Sequence, residues 1–170
     1  AYGRLTQMPG ICFVTRGPGA CNASIGVHTA YHEGTPLILF VGQVPVKSLK
    51  KNAFQSIDTD KFFNSMAKYT ETIKDPKNIR KILEKAIYIS TEGKPGPVIL
   101  AIPEDIQFAM VSDKISEVLE NKTHKIKSKI FRAYIKELNH SKRPIIFLSG
   151  SKWKKETKKK ATKKKATKKK

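Results

Sequence analysis

Three short, continuous apolar runs constrain the fold of this 170-residue chain more than any other feature. They are GICFVT at 10–15, LILFV at 37–41 and PVILAIP at 97–103, each flanked by glycine, proline or polar residues. Runs of this length without polar alternation are typical of strands that are covered on both faces of a parallel sheet. We therefore expect three buried β-strands.

Helical patterns lie between these runs. After a turn at 16–19, apolar residues with helical spacing predict a helix over 20–33, which Gly34 ends. Asp75 and Pro76 are a start signal for a second long helix that continues to Thr91. A short helix at 59–66 and a strand near 68–72 complete the pattern. This order predicts an α/β fold, a parallel sheet flanked by helices.

The chain divides into four predicted parts. Residues 1–106 form an incomplete α/β domain, and 107–127 are a polar linker in an irregular stretch that begins at 104. Residues 128–153, with a helix near 129–138 and a strand at 144–148, begin a second α/β domain. Residues 154–170 are a low-complexity tail. The first residue is Ala1 rather than Met, inside a patterned segment, and we expect a fragment of a longer protein.

The positive charge is concentrated near the end of the sequence. The net charge is +20, and residues 152–170 contain twelve Lys and one Glu, a net of +11, which leaves +9 for the rest. The KKKAT repeats cannot bury apolar surface and are predicted to be disordered. Such a tail predicts non-specific binding to nucleic acid or to an anionic surface. That binding is one alternative function.

Cysteine usage and hydropathy bear on the compartment. The two cysteines, Cys12 and Cys21, form no disulfide framework and no metal clip, which fits a reducing compartment and predicts a cytoplasmic protein. No apolar run is long enough to cross a membrane. Cys21 stands near a helix N-terminus, where a thiolate is stabilised, but a small buried thiol is the favoured interpretation.

The segment from Gly17 to Asn22 lies between a predicted strand and helix, where nucleotide-binding loops occur. It fits a phosphate poorly, since Asn22 replaces the third glycine of the usual motif and Pro18 has no N–H to donate. Two interpretations stay open: a loop that presents Pro18 and Asn22 to a flat ring, and a plain structural turn.

Two further groups suggest chemistry only weakly. His28 and His32 have the i, i+4 spacing of a zinc pair, but the order is HxxxHE and no third ligand is evident, which favours surface or packing histidines. Glu104 and Asp105 follow the run at 97–103, at the sheet edge where α/β proteins place function. A loop acid pair without a function explains them equally well.

Several motifs in a fixed order resemble those of one enzyme family. They are AYGRLTQMPGICFVTRGPGACNASIGVHTAYHEGTPLILFVGQVP at 1–45, AFQ at 53–55 and GKPGPVILAIPEDI at 93–106. Together they resemble the pyrimidine-binding domain of thiamine-diphosphate-dependent enzymes of the acetolactate synthase and pyruvate oxidase type. The resemblance implies that this domain holds the aminopyrimidine half of thiamine diphosphate between two subunits. The implied partner is an identical subunit or an intact homologous one.

The resemblance also implies individual roles. Pro18, Asn22 and Gln55 are expected to bind the pyrimidine ring, and Phe54 and Gln43 are expected to line the active site. The family's catalytic glutamate lies upstream of the position that corresponds to Ala1, so no catalytic residue is expected in this chain. Mg²⁺ and, in some members, FAD are bound by other parts of the full-length enzymes, and no metal ligand is expected here.

The expected function is thiamine diphosphate binding as part of a carboligase or decarboxylase. We expect the chain as given to be an inactive fragment that does not decarboxylate pyruvate. It carries Pro103-Glu104-Asp105 where acetolactate synthases of the family have Pro-Lys-Asp, which leaves the substrate open. We also expect marginal folding, because exposed apolar strand edges favour aggregation.

Overall fold

A four-stranded parallel sheet organises the chain, whose computed structural model describes residues 1–111 and 128–145. In chain order the strands are β1 (Gly10–Thr15), β2 (Leu37–Gln43), β3 (Tyr69–Thr72) and β4 (Pro97–Pro103). Their order across the sheet is β1-β2-β4-β3, and every neighbouring pair is parallel. The predicted α/β class and the three apolar strands are confirmed.

The helices follow the predicted order with shifted ends. They are α1 (Tyr2–Thr6), α2 (Arg16–Glu33), α3 (Thr59–Phe63), α4 (Ile79–Thr91), α5 (Glu104–Gln107) and α6 (Ser128–His140), with single 3-10 turns at Val46–Ser48 and Pro76–Asn78. Two predicted terminal signals are confirmed. Gly34 ends α2 in the left-handed conformation at φ 68°. The Asp75 carboxylate accepts a 2.9 Å hydrogen bond from the backbone N–H of Lys77, and it thereby caps the 3-10 turn Pro76–Asn78, which leads directly into α4 at Ile79.

The core lies on both faces of β2 and β4. On one face, Ile38, Phe40, Val98 and Leu100 pack against a layer that includes Ile82 and Ala86 of α4. On the other face, Leu39, Val41 and Ile99 pack with Ala20 and Val27 of α2 and with Phe63 of α3. The alternation of side chains along each strand sends successive residues into these two layers. Both central strands are therefore buried over most of their length, as their continuous apolar sequences predict.

The prediction that 10–15 is a buried strand is wrong in one respect. Residues 10–15 do form β1, but Ile11 is 55% exposed and Phe13 is 71% exposed. β1 pairs only with β2 among the described strands, and its register places Ile11 beside Ile38 and Phe13 beside Phe40. Helix α4 packs on β2 and β4, and no helix of the described residues covers this face of β1. Exposure here reflects position at the sheet edge, not composition.

Three other predictions are corrected. Helix α2 begins at Arg16, so residues 16–19 form its first turn rather than a separate loop. Cys21 is exposed, not buried, since its position on α2 faces away from the sheet. The start of the stretch predicted to be irregular, residues 104–107, is helix α5, which begins directly after β4.

Some predictions concern residues outside those described. They are the remainder of the linker at 112–127, the end of the strand at 144–148 and the tail at 154–170. Within the described residues, no helix has both the length and the apolar content needed to span a bilayer.

Candidate functional site

The junction between β1 and α2 forms the centre of the candidate site. Thr15 ends β1, and Arg16 begins α2 with a backbone φ of 25°. Positive φ is costly for a residue with a side chain, and such residues concentrate at functional sites. Pro18 fits the first helical turn because the N–H groups there have no acceptor within the helix. This junction lies at the carboxyl edge of the sheet, where open α/β sheets bind ligands.

A neighbouring loop is fixed against the first turn of α2. The backbone N–H of Gly17 donates a 2.8 Å hydrogen bond to the carbonyl oxygen of Gln55. Gln55 itself has a left-handed backbone, with φ 61°. A Cβ atom on Gly17 would lie 3.0 Å from that carbonyl oxygen, closer than carbon and oxygen normally approach. Glycine at 17 thus permits the contact that brings residues 53–57 to the helix.

Gln43, at the end of β2, anchors the same loop from the sheet. Its side chain is almost fully buried. The Nε2 amide donates a 2.8 Å hydrogen bond to the carbonyl oxygen of Ile57, and Oε1 accepts a 2.9 Å bond from the backbone N–H of Val44. A buried amide whose donor and acceptor are both used is held in one orientation. Residues 53–57 are therefore attached to α2 at one point and to β2 at another.

The acidic pair after β4 is tied to the same edge of the sheet. The Glu104 carboxylate forms a 3.3 Å ion pair with the Arg16 guanidinium, and this pair joins the ends of β1 and β4. Both carboxylate oxygens of Asp105 lie 3.1 Å from the backbone N–H of Val46. Both acids thus have contacts that shape the site, whereas the sequence left them open. Arg16 was not selected from the sequence, and Gly17 was named only as the first residue of the segment 17–22; the Gly-Pro-Gly that follows Arg16 was the available signal.

The residues named from the resemblance differ in their exposure to solvent. Pro18, Asn22, Phe54 and Gln55 are all exposed, whereas Gln43 is buried. Gln55 meets the helix turn that contains Pro18, and Gln43 holds the loop that contains Phe54. Asn22 lies one helical turn after Pro18 and lines an open groove beside Ile11 and Cys12 of β1. Phe54 is 80% exposed and is not among the core residues.

The exposed residues suit a flat heteroaromatic ring. Asn22 and Gln55 offer amides that both donate and accept hydrogen bonds, as ring nitrogens and an exocyclic amine require. Pro18 and Phe54 offer apolar surface. Among residues 1–111 and 128–145, no three His, Cys, Asp or Glu side chains cluster as metal ligands. These side-chain types are the ones that a pyrimidine ring would require, and the described part of the chain presents no such cluster of metal ligands.

Helix α3 follows the anchored loop and is capped by Asp58. The Asp58 carboxylate accepts a 3.1 Å hydrogen bond from the backbone N–H of Lys61. This bond, aided by the Lys61 ammonium at 3.5 Å, lowers the pKa of Asp58 from its ordinary value. The cap fixes the start of α3, whose Phe63 is fully buried on the α2 face of the sheet.

Comparison with known proteins gives a consistent result. Residues 1–62 match the family model described as "Thiamine pyrophosphate enzyme, N-terminal TPP binding domain". The chain is 33% identical to the mitochondrial acetolactate synthase of Schizosaccharomyces pombe, over 86% of this chain and 24% of that protein. It is 34% identical to the acetolactate synthase large subunit of Lactococcus lactis, over 88% of this chain and 27% of that protein.

A third relative matches a shorter segment more closely. It is the probable acetolactate synthase large subunit of Methanocaldococcus jannaschii, 40% identical over 62% of this chain and 18% of that protein. The chain spans about a quarter of the length of the first two relatives. By its matching domain and these relatives, the chain belongs to the thiamine pyrophosphate-dependent enzymes of acetolactate synthase type, in their N-terminal TPP-binding domain.

Proposed function

We propose that residues 1–106 supply one wall of a thiamine diphosphate site and bind the aminopyrimidine half of the cofactor. Pro18 and Asn22 on α2 and Gln55 on the adjacent loop contact the ring, and Phe54 faces the reacting part of the cofactor. The observation that carries this proposal is the hydrogen bond from Gly17 to Gln55, which joins the loop to the turn that contains Pro18.

Gln43 has a positioning role in this proposal. Its two hydrogen bonds hold residues 44 and 57, one at each end of the connection that contains Phe54 and Gln55. Loss of these bonds would release the loop without removing any group that contacts the ring. The bonded geometry therefore supports a role for Gln43 in aligning the site rather than in touching the cofactor.

The enzyme activity to which this wall contributes is proposed as that of an acetolactate synthase-like carboligase or decarboxylase. The names of the relatives support the general activity. Glu104 occupies the position after Pro103 and pairs with Arg16. An acid rather than a lysine at this position changes the charge of the sheet edge. The remaining walls and the metal would come from a partner subunit.

Nuclear magnetic resonance of the ¹⁵N-labelled 170-residue chain tests the ring contact. Titration with thiamine is expected to shift the backbone amide signals of Gly17, Gly19, Asn22 and Gln55, with saturation. The hydroxyethyl-thiazole half of thiamine, which lacks the pyrimidine ring, is the matched ligand control and is expected to leave these signals unchanged. Weak affinity is expected, because one wall of a site between subunits buries little of the ring.

A pair of asparagine variants tests the assignment of Asn22. Asn22→Ala should weaken thiamine binding about tenfold, the effect of losing roughly 1.4 kcal/mol of hydrogen bonding. Asn64→Ala removes another exposed amide, just after α3, and should not change the affinity. Equal affinity of the Asn22 variant and the parent chain, or equal shifts with the thiazole, would contradict the proposed ring site.

A further inference from the structure

Two histidines on the exposed side of α2 lie close together and take no part in the proposed ring site. His28 and His32 are one helical turn apart, and their Nε2 atoms are 3.2 Å apart. The ring centroids are separated by 4.4 Å, with 53° between the ring planes. Both side chains are exposed. The two nitrogens therefore lie side by side at the protein surface.

We propose that His28 and His32 form a surface binding site for one divalent transition-metal ion such as Ni²⁺ or Zn²⁺. Zinc binds imidazole nitrogen at about 2.0–2.1 Å, so two nitrogens on a tetrahedral ion lie roughly 3.3 Å apart. The observed 3.2 Å separation is close to that distance. Because residues i and i+4 of a helix are neighbours, the backbone itself holds the two ligands ready.

The same separation also fits a hydrogen bond between the two rings. That bond needs a proton on one of the Nε2 atoms, whereas metal binding needs a lone pair on both. When the metal binds, each neutral ring keeps its proton on Nδ1, and any second proton on a ring is released to solvent. The metal and the proton therefore compete for the same pair of nitrogens.

The neighbouring groups decide the character of the site. Glu33 forms an ion pair with Arg4 at 3.3 Å, so its carboxylate is already engaged. Tyr31 meets the His32 ring edge-on, with centroids 5.6 Å apart, and supports its orientation. The protein then supplies two imidazole ligands, and water or a group from another molecule fills the other positions. Imidazole ligands suit Ni²⁺, Cu²⁺ and Zn²⁺, whereas Mg²⁺ prefers oxygen.

Isothermal titration calorimetry with Ni²⁺ tests the site. The 170-residue chain carries Cys12→Ser and Cys21→Ser, because both thiols are exposed and would otherwise compete for the metal. One saturable binding event per chain is expected. His32→Gln should weaken it at least about tenfold, since one of the two protein ligands is lost.

A matched variant separates the paired geometry from the mere number of histidines. His32→Gln combined with Thr29→His keeps the histidine count but places the two rings at adjacent positions of the helix, which do not face each other. It should bind Ni²⁺ as weakly as the single variant. His140→Gln, which removes an exposed histidine of α6, should bind like the parent chain.

The Ni²⁺ titrations of these variants can overturn the proposed metal site in two ways. The proposed metal site is overturned if the rearranged variant binds Ni²⁺ as tightly as the parent chain. It is also overturned if the parent chain shows no saturable binding. Circular dichroism of each variant checks that α2 is retained. If a variant loses helix content, a second measurement on the parent chain takes its place. Mass spectrometry then measures whether Ni²⁺ protects His28 and His32 from histidine-modifying reagents. Modification of both residues at the metal-free rate would then overturn the proposal.

Discussion

Strands β1 and β2 are hydrogen-bonded neighbours with similar apolar sequences, yet they have opposite environments. Ile38 in β2 is 1% exposed, whereas its partner in register, Ile11 of β1, is 55% exposed. The difference comes from what lies over each strand. β2 has β4 on its other side and helices on both faces. Within the described residues, β1 has a helix, α2, on one face only.

An apolar run is often taken to indicate both a β-strand and its burial, but in β1 these two properties are separate. The sequence GICFVT specifies extended backbone and parallel pairing, and both are present. Burial depends in addition on distant segments that cover the strand. The aromatic ring of Phe13 shows the result, since it stacks on Phe40 at 4.5 Å while its outer side faces solvent.

The largest expected effect comes from truncating the central strand. Leu100→Ala removes a side chain that is 0% exposed in β4 and should lower the free energy of unfolding by about 2–5 kcal/mol, through lost burial and a residual cavity. Phe13→Ala in β1 should cost about 1 kcal/mol, most of it from the ring stack. Urea unfolding followed by circular dichroism measures both values. Equal losses would mean that β1 is covered in solution.

A pair of glycines tests how closely α2 approaches β1. A Cβ on Gly19 would lie 2.9 Å from Cβ of Val14, so Gly19→Ala should cost about 1–3 kcal/mol by forcing helix and strand apart. The control is Gly26→Ala in the same helix, where a Cβ meets nothing within 4 Å. That change should stabilise the chain by about 0.5–1 kcal/mol. The contact fails as an explanation if both variants shift thermal unfolding in the same direction.

The smallest expected effect concerns the cap of α3, which covers the α2 face of the central strands. The pKa of Asp58 is lowered in the fold, chiefly by the Lys61 backbone bond. Its stabilising contribution is therefore present above the ordinary aspartate range near pH 4 and fades as the pH falls through the lowered value.

Asp58→Ala should cost about 1 kcal/mol or less near neutral pH, because the carboxylate is exposed to solvent. Its deficit relative to the parent should shrink as the pH falls below about 4. Asp58→Asn keeps a capping oxygen without the charge, so its deficit should be smaller than that of Asp58→Ala, and the stability difference between the two variants should vary little with pH. Thermal unfolding across a pH series measures all three chains. A deficit of Asp58→Ala that grows towards acid pH would refute the assigned role.

Much of the fold was predictable from local signals. The apolar runs located β1, β2 and β4, and Gly34 and Asp75 marked helix ends correctly. The start of α2 was missed because glycine and proline disfavour helix interiors, whereas the first turn tolerates both when the backbone packs closely. The approach of Gly19 to Val14 is a tertiary contact that no local pattern contains.

The site was less predictable than the fold. The resemblance named Pro18, Asn22, Gln43, Phe54 and Gln55, and their roles stay predictions. Composition and periodicity alone did not predict that residues 53–57 contact α2, because that contact joins segments almost forty positions apart through one backbone hydrogen bond. The engagement of Glu104 with Arg16 likewise depends on the register of β1 and β4 across the sheet.

The bond between Gly17 and Gln55 gives the molecule a built-in reporter. The Gly17 N–H lies in the first turn of α2, where no helical carbonyl accepts it, so its protection from solvent depends on the loop alone. Its hydrogen–deuterium exchange rate should therefore measure how often residues 53–57 detach from the helix. The exchange of this one amide would report local detachment of residues 53–57 from α2, separately from global unfolding.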